Sequence, residues 1–168
     1  MRQRIYACSS VVGPAAVAGS LRPAAESDRE LLVGWYIGFM SEALGEDEPE
    51  EARRIVEARL RDASDASGLR IWEDADGAPA TMVGFGLPTP HGIGIAPVWT
   101  PPERRRQGFG SAATAASTTE LLEAGRSFVF LITDLENPTA NRTYQAIGYG
   151  AVCDAEQWEF AEPAINPS

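Results

Sequence analysis

Near the middle of this chain, a predicted β-strand runs into a glycine-containing turn that opens a helix. The strand spans Ile93–Trp99, the turn spans Gln107–Gly110, and the helix continues to about Glu123. Unpaired N–H groups at a helix start, together with the helix dipole, form a binding site for an anion such as a phosphate. Because Gly108 and Gly110 lack a Cβ atom, a phosphate could approach the backbone closely. The segment therefore predicts an α/β fold in which the turn between strand and helix cradles a phosphate.

Three consecutive arginines, Arg104–Arg106, precede these glycines. The chain has 14 basic and 24 acidic side chains, a formal net charge of -10, and no lysine. A local cluster of positive charge in an acidic chain suits a pyrophosphate. A P-loop would need a lysine, and a dinucleotide fingerprint would need a third glycine where Ala113 stands. A tight turn with solvated arginines is the alternative that these residues leave open.

The overall composition limits the class of protein. The 168 residues are enough for one domain, and 44% of them are hydrophobic, which excludes a disordered or fibrous chain. The acidic balance argues against a nucleic-acid partner, which would need a basic face. His91 is the single histidine, and Cys8 and Cys153 lack metal-ligand spacing, so we expect no metal. Two isolated cysteines indicate free thiols and a cytoplasmic location.

The first 20 residues are harder to interpret. Arg2 and Arg4 precede a mildly apolar stretch that resembles a weak signal peptide, but polar residues and Pro14 interrupt it. No apolar run in the chain approaches the roughly 20 residues of a membrane-spanning helix, so we expect no membrane partner. We expect residues 1–20 to be a leading strand or an N-terminal extension. Residues 21–162 then form the domain, and residues 163–168 form a tail.

The remaining chain predicts a mixed sheet flanked by helices. Helical spacing of apolar residues predicts a helix near residues 28–40, a second near residues 51–60 and a third at residues 137–146. Short apolar segments predict strands at residues 69–72, 81–87, 93–99, 128–133, 149–153 and 157–160. The order of these elements indicates an α/β fold with a mixed sheet and not a strict βαβ repeat.

Two motifs resemble those of one family. Arg105-x-x-Gly108-x-Gly110, after a strand and at a helix start, resembles the acetyl-CoA-binding motif of the GCN5-related N-acetyltransferase (GNAT) family. A second motif of that family is matched downstream at five positions: Asn137, Ala140, Tyr144, Gly148 and Tyr149. The resemblance covers about residues 68–160. It implies a mostly antiparallel central sheet, flanked by helices, in which one pair of parallel strands splays apart.

The resemblance also implies acetyl-CoA as acyl donor and assigns residues to it. Backbone groups at the end of the strand would bind pantetheine, amides of the turn would bind pyrophosphate, and two arginines would add charge. An asparagine after the next strand would contact the pantetheine portion or a nearby water. A tyrosine would act as general acid, either protonating the leaving thiolate or donating a hydrogen bond to it. The implied cofactor-binding residues are Val98, Trp99, Thr100, Arg104, Arg105, Arg106, Gln107, Gly108, Phe109, Gly110, Ser111, Asn137, Asn141 and Tyr144. Tyr144 is the implied catalytic residue, with a core tyrosine as its alternative, and Asn141 is equally compatible with a helix-surface amide.

The general base is left unassigned, because the strand Gly92–Val98 has no carboxylate where family members often carry a glutamate. Candidates are His91, Asp134, Glu136 and bulk water. An aromatic-rich stripe on the implied acceptor side is most simply a core, although one or two of its members could line a pocket: Trp35, Tyr36, Phe39 and Met40. Four acidic residues that follow could attract a cationic amine, although a solvated face is the simpler interpretation: Glu42, Glu46, Asp47 and Glu48.

The implied function is therefore N-acetyl transfer from acetyl-CoA to a primary amine, on a small molecule or a protein, by direct attack on the thioester. The alternative is a non-catalytic acyl-CoA-binding or sensory module, because the strand lacks the family's carboxylate. Binding of another phosphate ligand at the same helix end is a third possibility. We expect a monomer or a homodimer.

Overall fold

A computed structural model of the chain describes residues 2–13, 16–45 and 47–156, without the side chain of Leu44. The strands are Arg2–Cys8 (β1), Ser20–Pro23 (β2), Gly68–Glu73 (β3), Pro79–Gly86 (β4), Gly92–Trp99 (β5), Phe128–Asp134 (β6) and Gly150–Glu156 (β7). The helices are Arg29–Phe39 (α1), Pro49–Arg61 (α2), Phe109–Glu123 (α3) and Pro138–Ala146 (α4), and a π-helical turn, Met40–Leu44, follows α1. None of the helices in these ranges has the length and apolar character needed to span a membrane. The predicted strand at residues 157–160 and the predicted tail lie outside the described residues.

The described strands form one sheet in the order β2-β3-β4-β5-β6-β1-β7. Neighbouring strands are antiparallel except for β5 and β6, which run parallel. The predicted mixed sheet, mostly antiparallel with one parallel pair and flanked by helices, is thus confirmed.

The first strand lies inside the sheet. Ile5 of β1 is paired with Ile132 of β6 on one side and with Cys153 of β7 on the other. Residues 2–8 therefore supply backbone hydrogen bonds to two neighbouring strands, and β1 joins β7 to the parallel pair.

Two hydrophobic cores cover the two faces of the sheet. On one face α3 packs through small residues such as Ala113 against Val129 and the other inward side chains of β4–β6 and β1. On the other face α1 and α2 enclose a core that includes Leu32, Val56 and Ile71. Strand side chains alternate between the faces, and β3, β4 and β5 contribute to both cores, whereas the buried hydrophobic side chains of β1 and β6 belong to the core under α3.

The parallel pair separates after three paired positions. The pairing runs from Gly92 opposite Phe128 to Gly94 opposite Phe130 and then ends. At this level β5 contains a bulge, because Ala96 and Pro97 together stand opposite the single residue Gly84 of β4. A bulge bends the strand that carries it, and Pro97 has no N–H to donate to a ladder. The bulge therefore turns the end of β5 away from β6 and opens a gap between them.

Candidate functional site

The turn before α3 leaves backbone donors unpaired. Gly108 is the N-cap of α3 in the left-handed region, with φ of 82°, and no side chain caps the helix. The first hydrogen bond of the helix runs from the Ala112 N–H to the Gly108 carbonyl. Within the described residues, the amides of Phe109, Gly110 and Ser111 donate no backbone hydrogen bond. These three donors at the positive end of α3 are available to an anion such as a phosphate group.

A cavity of about 450 Å³ lies in front of these amides, and we call it the cradle cavity. It is bounded by the end of β5, the turn, and the first two turns of α4. All of the sequence-predicted cofactor-binding residues line it except Gln107 and Asn141. Three positions of the first motif, Arg105, Gly108 and Gly110, therefore share one space with Asn137, Ala140 and Tyr144 of the second motif, 27 to 39 positions later in the chain. The last two positions of the second motif, Gly148 and Tyr149, do not line it.

A second cavity, of about 350 Å³, occupies the gap between β5 and β6, and we call it the splay cavity. It is lined by both strands beyond their last paired position, and by residues of the turn after α1 and of α4. The two cavities share six residues: Glu42, Val98, Trp99, Asn137, Ala140 and Tyr144. Together they form a groove that leads from the start of α3 to the gap in the sheet.

The three arginines of the turn have different surroundings. Arg104 forms an ion pair with Asp74 and lies over the Phe109 ring, 5.4 Å from its centroid. The pKa of the Asp74 carboxyl is lowered, first by its hydrogen bond from the Ala78 N–H and then by Arg104. Because this carboxylate faces Arg104, the arginine contributes less positive charge to the cradle than the sequence suggested.

Arg105 and Arg106 are both exposed. Arg105 donates to the Thr100 carbonyl at 2.9 Å and to Glu42 at 2.6 Å. Arg106 has a φ of 61° and forms no ion pair with the described residues. Of the three charges, Arg106 is therefore the one that a bound anion could neutralise without displacing a carboxylate.

Asn137 and Asn141 form hydrogen bonds that stabilise and position α4. The Asn137 side chain caps the helix by accepting from the Ala140 N–H at 3.0 Å, and it also lines both cavities. Asn141 donates to the carbonyls of Asp134 and Asn137 and accepts from the Tyr6 hydroxyl at 3.0 Å. Both N–H groups of its amide are thus engaged and it lines neither cavity, so its contacts fix α4 on β6 and β1.

Tyr144 lines both cavities where they meet. Its ring packs edge-on against Tyr149, with centroids 6.1 Å apart, and its hydroxyl forms no hydrogen bond with the described residues. Burial raises the pKa of Tyr144 to about 12. At neutral pH the hydroxyl is therefore protonated and available to donate into the groove.

A sequence model of the acetyltransferase (GNAT) family matches residues 30–149. This span covers the cradle, the parallel pair and the second motif. The chain belongs to the GNAT acetyltransferase family. A comparison with curated proteins gave no match.

Solved structures of GNAT proteins share the fold. A GCN5-related N-acetyltransferase from Kribbella flavida is 18% identical with a TM-score of 0.64, over 90% of this chain and 55% of that one. A GNAT-family acetyltransferase from Colwellia psychrerythraea is 10% identical with a TM-score of 0.69, over 89% of this chain and 52% of that one. The chain thus spans about half the length of these two proteins. A GNAT-family acetyltransferase from Brucella melitensis, in complex with acetyl-CoA, is 22% identical with a TM-score of 0.58, over 89% of this chain and 98% of that one.

Among the candidate bases of this GNAT domain, the structure brings one to the groove. Asp134, at the end of β6, lines the splay cavity and accepts from the Glu136 N–H at 2.9 Å. His91 and Glu136 are exposed and line neither cavity. Glu42, which the sequence presented only as one of several acidic residues that could attract a cationic amine, lines both cavities. Glu46 lies outside the described residues.

Within the described residues, no cluster of three or more metal-ligating side chains occurs.

The aromatic-rich stripe of α1 is mostly core. Trp35, Tyr36 and Met40 are buried, whereas Phe39 lines the splay cavity. Trp99 lines both cavities and packs against Trp35, with ring centroids 6.2 Å apart. The stripe thus supports the wall of the site through Trp99.

Two glycines of α1 allow a matched test of this packing. A Cβ atom at Gly38 would lie 2.5 Å from the Trp99 ring, whereas one at Gly34 would meet nothing within 4 Å. We expect Gly38→Ala to lower the free energy of unfolding by about 1–3 kcal/mol, because the indole must move. Gly34→Ala should raise it by about 0.5–1 kcal/mol, since alanine favours the helix. Urea unfolding measures both, and equal stabilisation by the two variants would contradict the Gly38–Trp99 contact.

Proposed function

We propose that this GNAT domain transfers an acetyl group from acetyl-CoA to a primary amine by direct attack of the amine on the thioester. The observation that carries the proposal is the continuous groove from the unpaired amides of α3 to the gap between β5 and β6. Neither end alone would indicate acyl transfer. The groove combines a phosphate site, a narrow passage along a strand edge and a hydroxyl donor.

The residues present fit acetyl-CoA. The amides of Phe109–Ser111 and the unpaired Arg106 suit its pyrophosphate. Beyond Gly94, the edge of β5 that faces β6 has no ladder partner, so its backbone groups are available to the amides of pantetheine. When bound, acetyl-CoA supplies an activated thioester whose carbonyl carbon accepts the amine. The acetyl-CoA complex of the Brucella relative supports this assignment.

The role of Tyr144 follows from its pKa. A thiol has an ordinary pKa of about 8.5, well below the value of about 12 that burial gives the Tyr144 phenol. Full proton transfer from this phenol to a thiolate is therefore uphill. We infer that Tyr144 donates a hydrogen bond that stabilises charge developing on sulfur, which is favourable while the proton stays on the phenol.

The acceptor amine must lose a proton before or during attack. Asp134 is the candidate base, since it lines the splay cavity and one of its oxygens is free of the described hydrogen bond to Glu136. Glu42 lines the same cavity but holds Arg105 with both oxygens. It can hold a cationic amine only when Arg105 turns to another anion.

The pH dependence of turnover should reflect the amine alone. We expect kcat/KM to rise with pH up to the pKa of the acceptor amine, because the neutral amine is the nucleophile. Tyr144 acts in its protonated form, and since its pKa is about 12, its deprotonation lowers activity only far above neutral pH. Rates measured between about pH 6 and 9.5 should show one ascending limb. A flat profile, or a descending limb near neutrality, would contradict this assignment.

Calorimetric titration with acetyl-CoA tests the proposal. We expect saturable binding at one site per chain, and release of free thiol when acceptor amines are added. The alternative, a non-catalytic acyl-CoA-binding module, is favoured by the absence of a carboxylate from β5, and it predicts saturation without thiol release. Absence of binding at millimolar acetyl-CoA would overturn both.

We propose a cytoplasmic location for the reaction. Cys8 is buried, Cys153 is exposed, and both are free thiols, which supports a reducing compartment.

A further inference from the structure

A third cavity, of about 90 Å³, opens beside the bulge of β5, and we call it the α2 cavity. Phe130 and Ile132 of β6 line it, and they alternate with Val129 and Leu131, which face the α3 core. The α2 cavity therefore lies mainly on the sheet face that carries α1 and α2. It shares four residues with the splay cavity: Ile95, Ala96, Leu131 and Ile132. A molecule in the α2 cavity would thus reach the gap between the strands without passing through the cradle.

Arg59 is the charged residue of this cavity. It extends from α2 and donates one hydrogen bond, from Nη1 to the Ala96 carbonyl at 2.8 Å. Two glycines of β4 make room for its guanidinium. A Cβ atom at Gly84 would collide with Nη1 and would also lie 2.6 Å from the Ala96 carbonyl oxygen, and one at Gly86 would lie 3.9 Å from Nη2. The guanidinium thus lies against Gly84 and beside the bulge, next to the gap.

The pairing of Arg59 differs from that of its neighbours on α2. Arg53, Arg54 and Arg61 each form an ion pair with a carboxylate. Within the described residues Arg59 has no carboxylate partner, although the chain has an excess of acidic side chains. Its guanidinium has five N–H donors, and the described hydrogen bonds use one. The remaining fork matches a carboxylate, which it can bind through two parallel hydrogen bonds.

The rest of the α2 cavity is apolar. Leu87 and Ile132 line it and are 70% and 50% exposed, so both side chains are accessible to a molecule in this cavity. Asp134, the candidate base, follows Ile132 on β6 by two residues and lines the adjoining splay cavity. The site therefore presents an acidic group, apolar contacts and a cation around the gap.

We infer from this arrangement that the acceptor is an amino acid with an apolar side chain, and that Arg59 binds its carboxylate. This inference rests on the proposed acetyl transfer and specifies its substrate class. The amine enters the gap beside Asp134, and Leu87, Phe130 and Ile132 contact the side chain. The acidic surface of the chain, which alone suggests a cationic acceptor, is offset at this point by Arg59.

Matched acceptor pairs test the inference. We would titrate L-leucine, L-methionine and L-phenylalanine, and the amide of each, into protein saturated with CoA, and then measure thiol release from acetyl-CoA with the same compounds. Loss of a charge-assisted bidentate contact corresponds to about 10- to 100-fold in affinity. At least one amino acid should bind and react better than its amide by this factor. Arg59→Gln should remove the difference, and Arg59→Lys should restore part of it.

Two controls separate the possible failures. Arg54→Gln removes the same charge from the same helix at an exposed site and should leave the preference for the carboxylate unchanged. Acetyl-CoA titration of Arg59→Gln should match wild type, because Arg59 does not line the cradle cavity. Absence of acetyl-CoA binding to wild type would overturn the proposed function itself. Intact acetyl-CoA binding with equal use of acids and amides would overturn the role of Arg59. Intact acetyl-CoA binding with no amino acid bound would overturn the whole inference about the acceptor and leave the proposed acetyl transfer standing.

Discussion

Gly108→Val should weaken acetyl-CoA binding by about 10- to 100-fold. Gly108 has a φ of 82°, which a β-branched residue adopts only at a cost of about 1–2 kcal/mol. A Cβ atom there would also lie 2.9 Å from Cγ2 of Val17. The turn must therefore shift, and it carries the amides of Phe109–Ser111 with it. Loss of one hydrogen bond to a charged phosphate is worth about 1.5–3 kcal/mol, which gives the expected factor.

Gly125 supplies the matched control for this variant. It follows the other end of α3 with a φ of 99°, and a Cβ atom there would meet nothing within 4 Å. Gly125→Val should therefore lower the free energy of unfolding by a similar amount but leave the Kd for acetyl-CoA unchanged. Urea unfolding and calorimetric titration of both variants separate backbone strain from loss of the phosphate site. A folded Gly108→Val protein with wild-type affinity would refute the cradle.

Tyr144→Phe should lower kcat by about 100-fold, the usual effect of removing one donor to a developing charge. The Kd for acetyl-CoA should change by less than about twofold, because the phenol ring is kept and its hydroxyl forms no hydrogen bond with the described residues. Since the amine, and not Tyr144, titrates near neutral pH, the variant should retain the ascending pH profile. Single-turnover rates with acetyl-CoA measure the chemical step directly.

The neighbouring Tyr149 is the control for a purely structural effect. Its hydroxyl lies 2.6 Å from the Thr118 hydroxyl, and it lines neither the cradle nor the splay cavity. Tyr149→Phe leaves Thr118 without this partner and should reduce stability by about 1–3 kcal/mol while keeping kcat near wild type. If the two variants reduced kcat equally, Tyr144 would be a packing residue.

The parts of the site that sequence predicted well are those fixed by local geometry. The strand, turn and helix of the cradle follow from glycines at a helix start, and Gly108 is indeed the left-handed N-cap. Asn137 caps α4 through a contact three residues away. Tyr144 occurs on that helix at a spacing that the family motif predicts, and it faces the groove.

The sequence contained one overlooked signal for the gap in the sheet. Pro97 stands inside a predicted strand, where it cannot donate to a ladder, and it marks the bulge that turns β5 away from β6. The residue opposite the bulge, Gly84, belongs to another strand, β4. Pro97 thus predicts an irregularity in β5, but the direction in which β5 bends depends on its pairing with β4.

Contacts between distant parts of the chain were decided only by the tertiary structure. Sequence predicted Arg104 and Arg105 beside the phosphate, and both line the cradle cavity. It gave no sign of the carboxylates that pair with them, Asp74, 30 residues before Arg104, and Glu42, 63 residues before Arg105. Asn141 is directed away from the groove by Tyr6, 135 residues before it, because β1 lies next to β6. Helix starts, caps and turns depend on neighbouring φ angles and hydrogen bonds, so they can be predicted from a short stretch of residues. Which carboxylate meets which arginine, and which face of a helix meets the groove, depends on the order of the strands, and only the packed sheet sets that order.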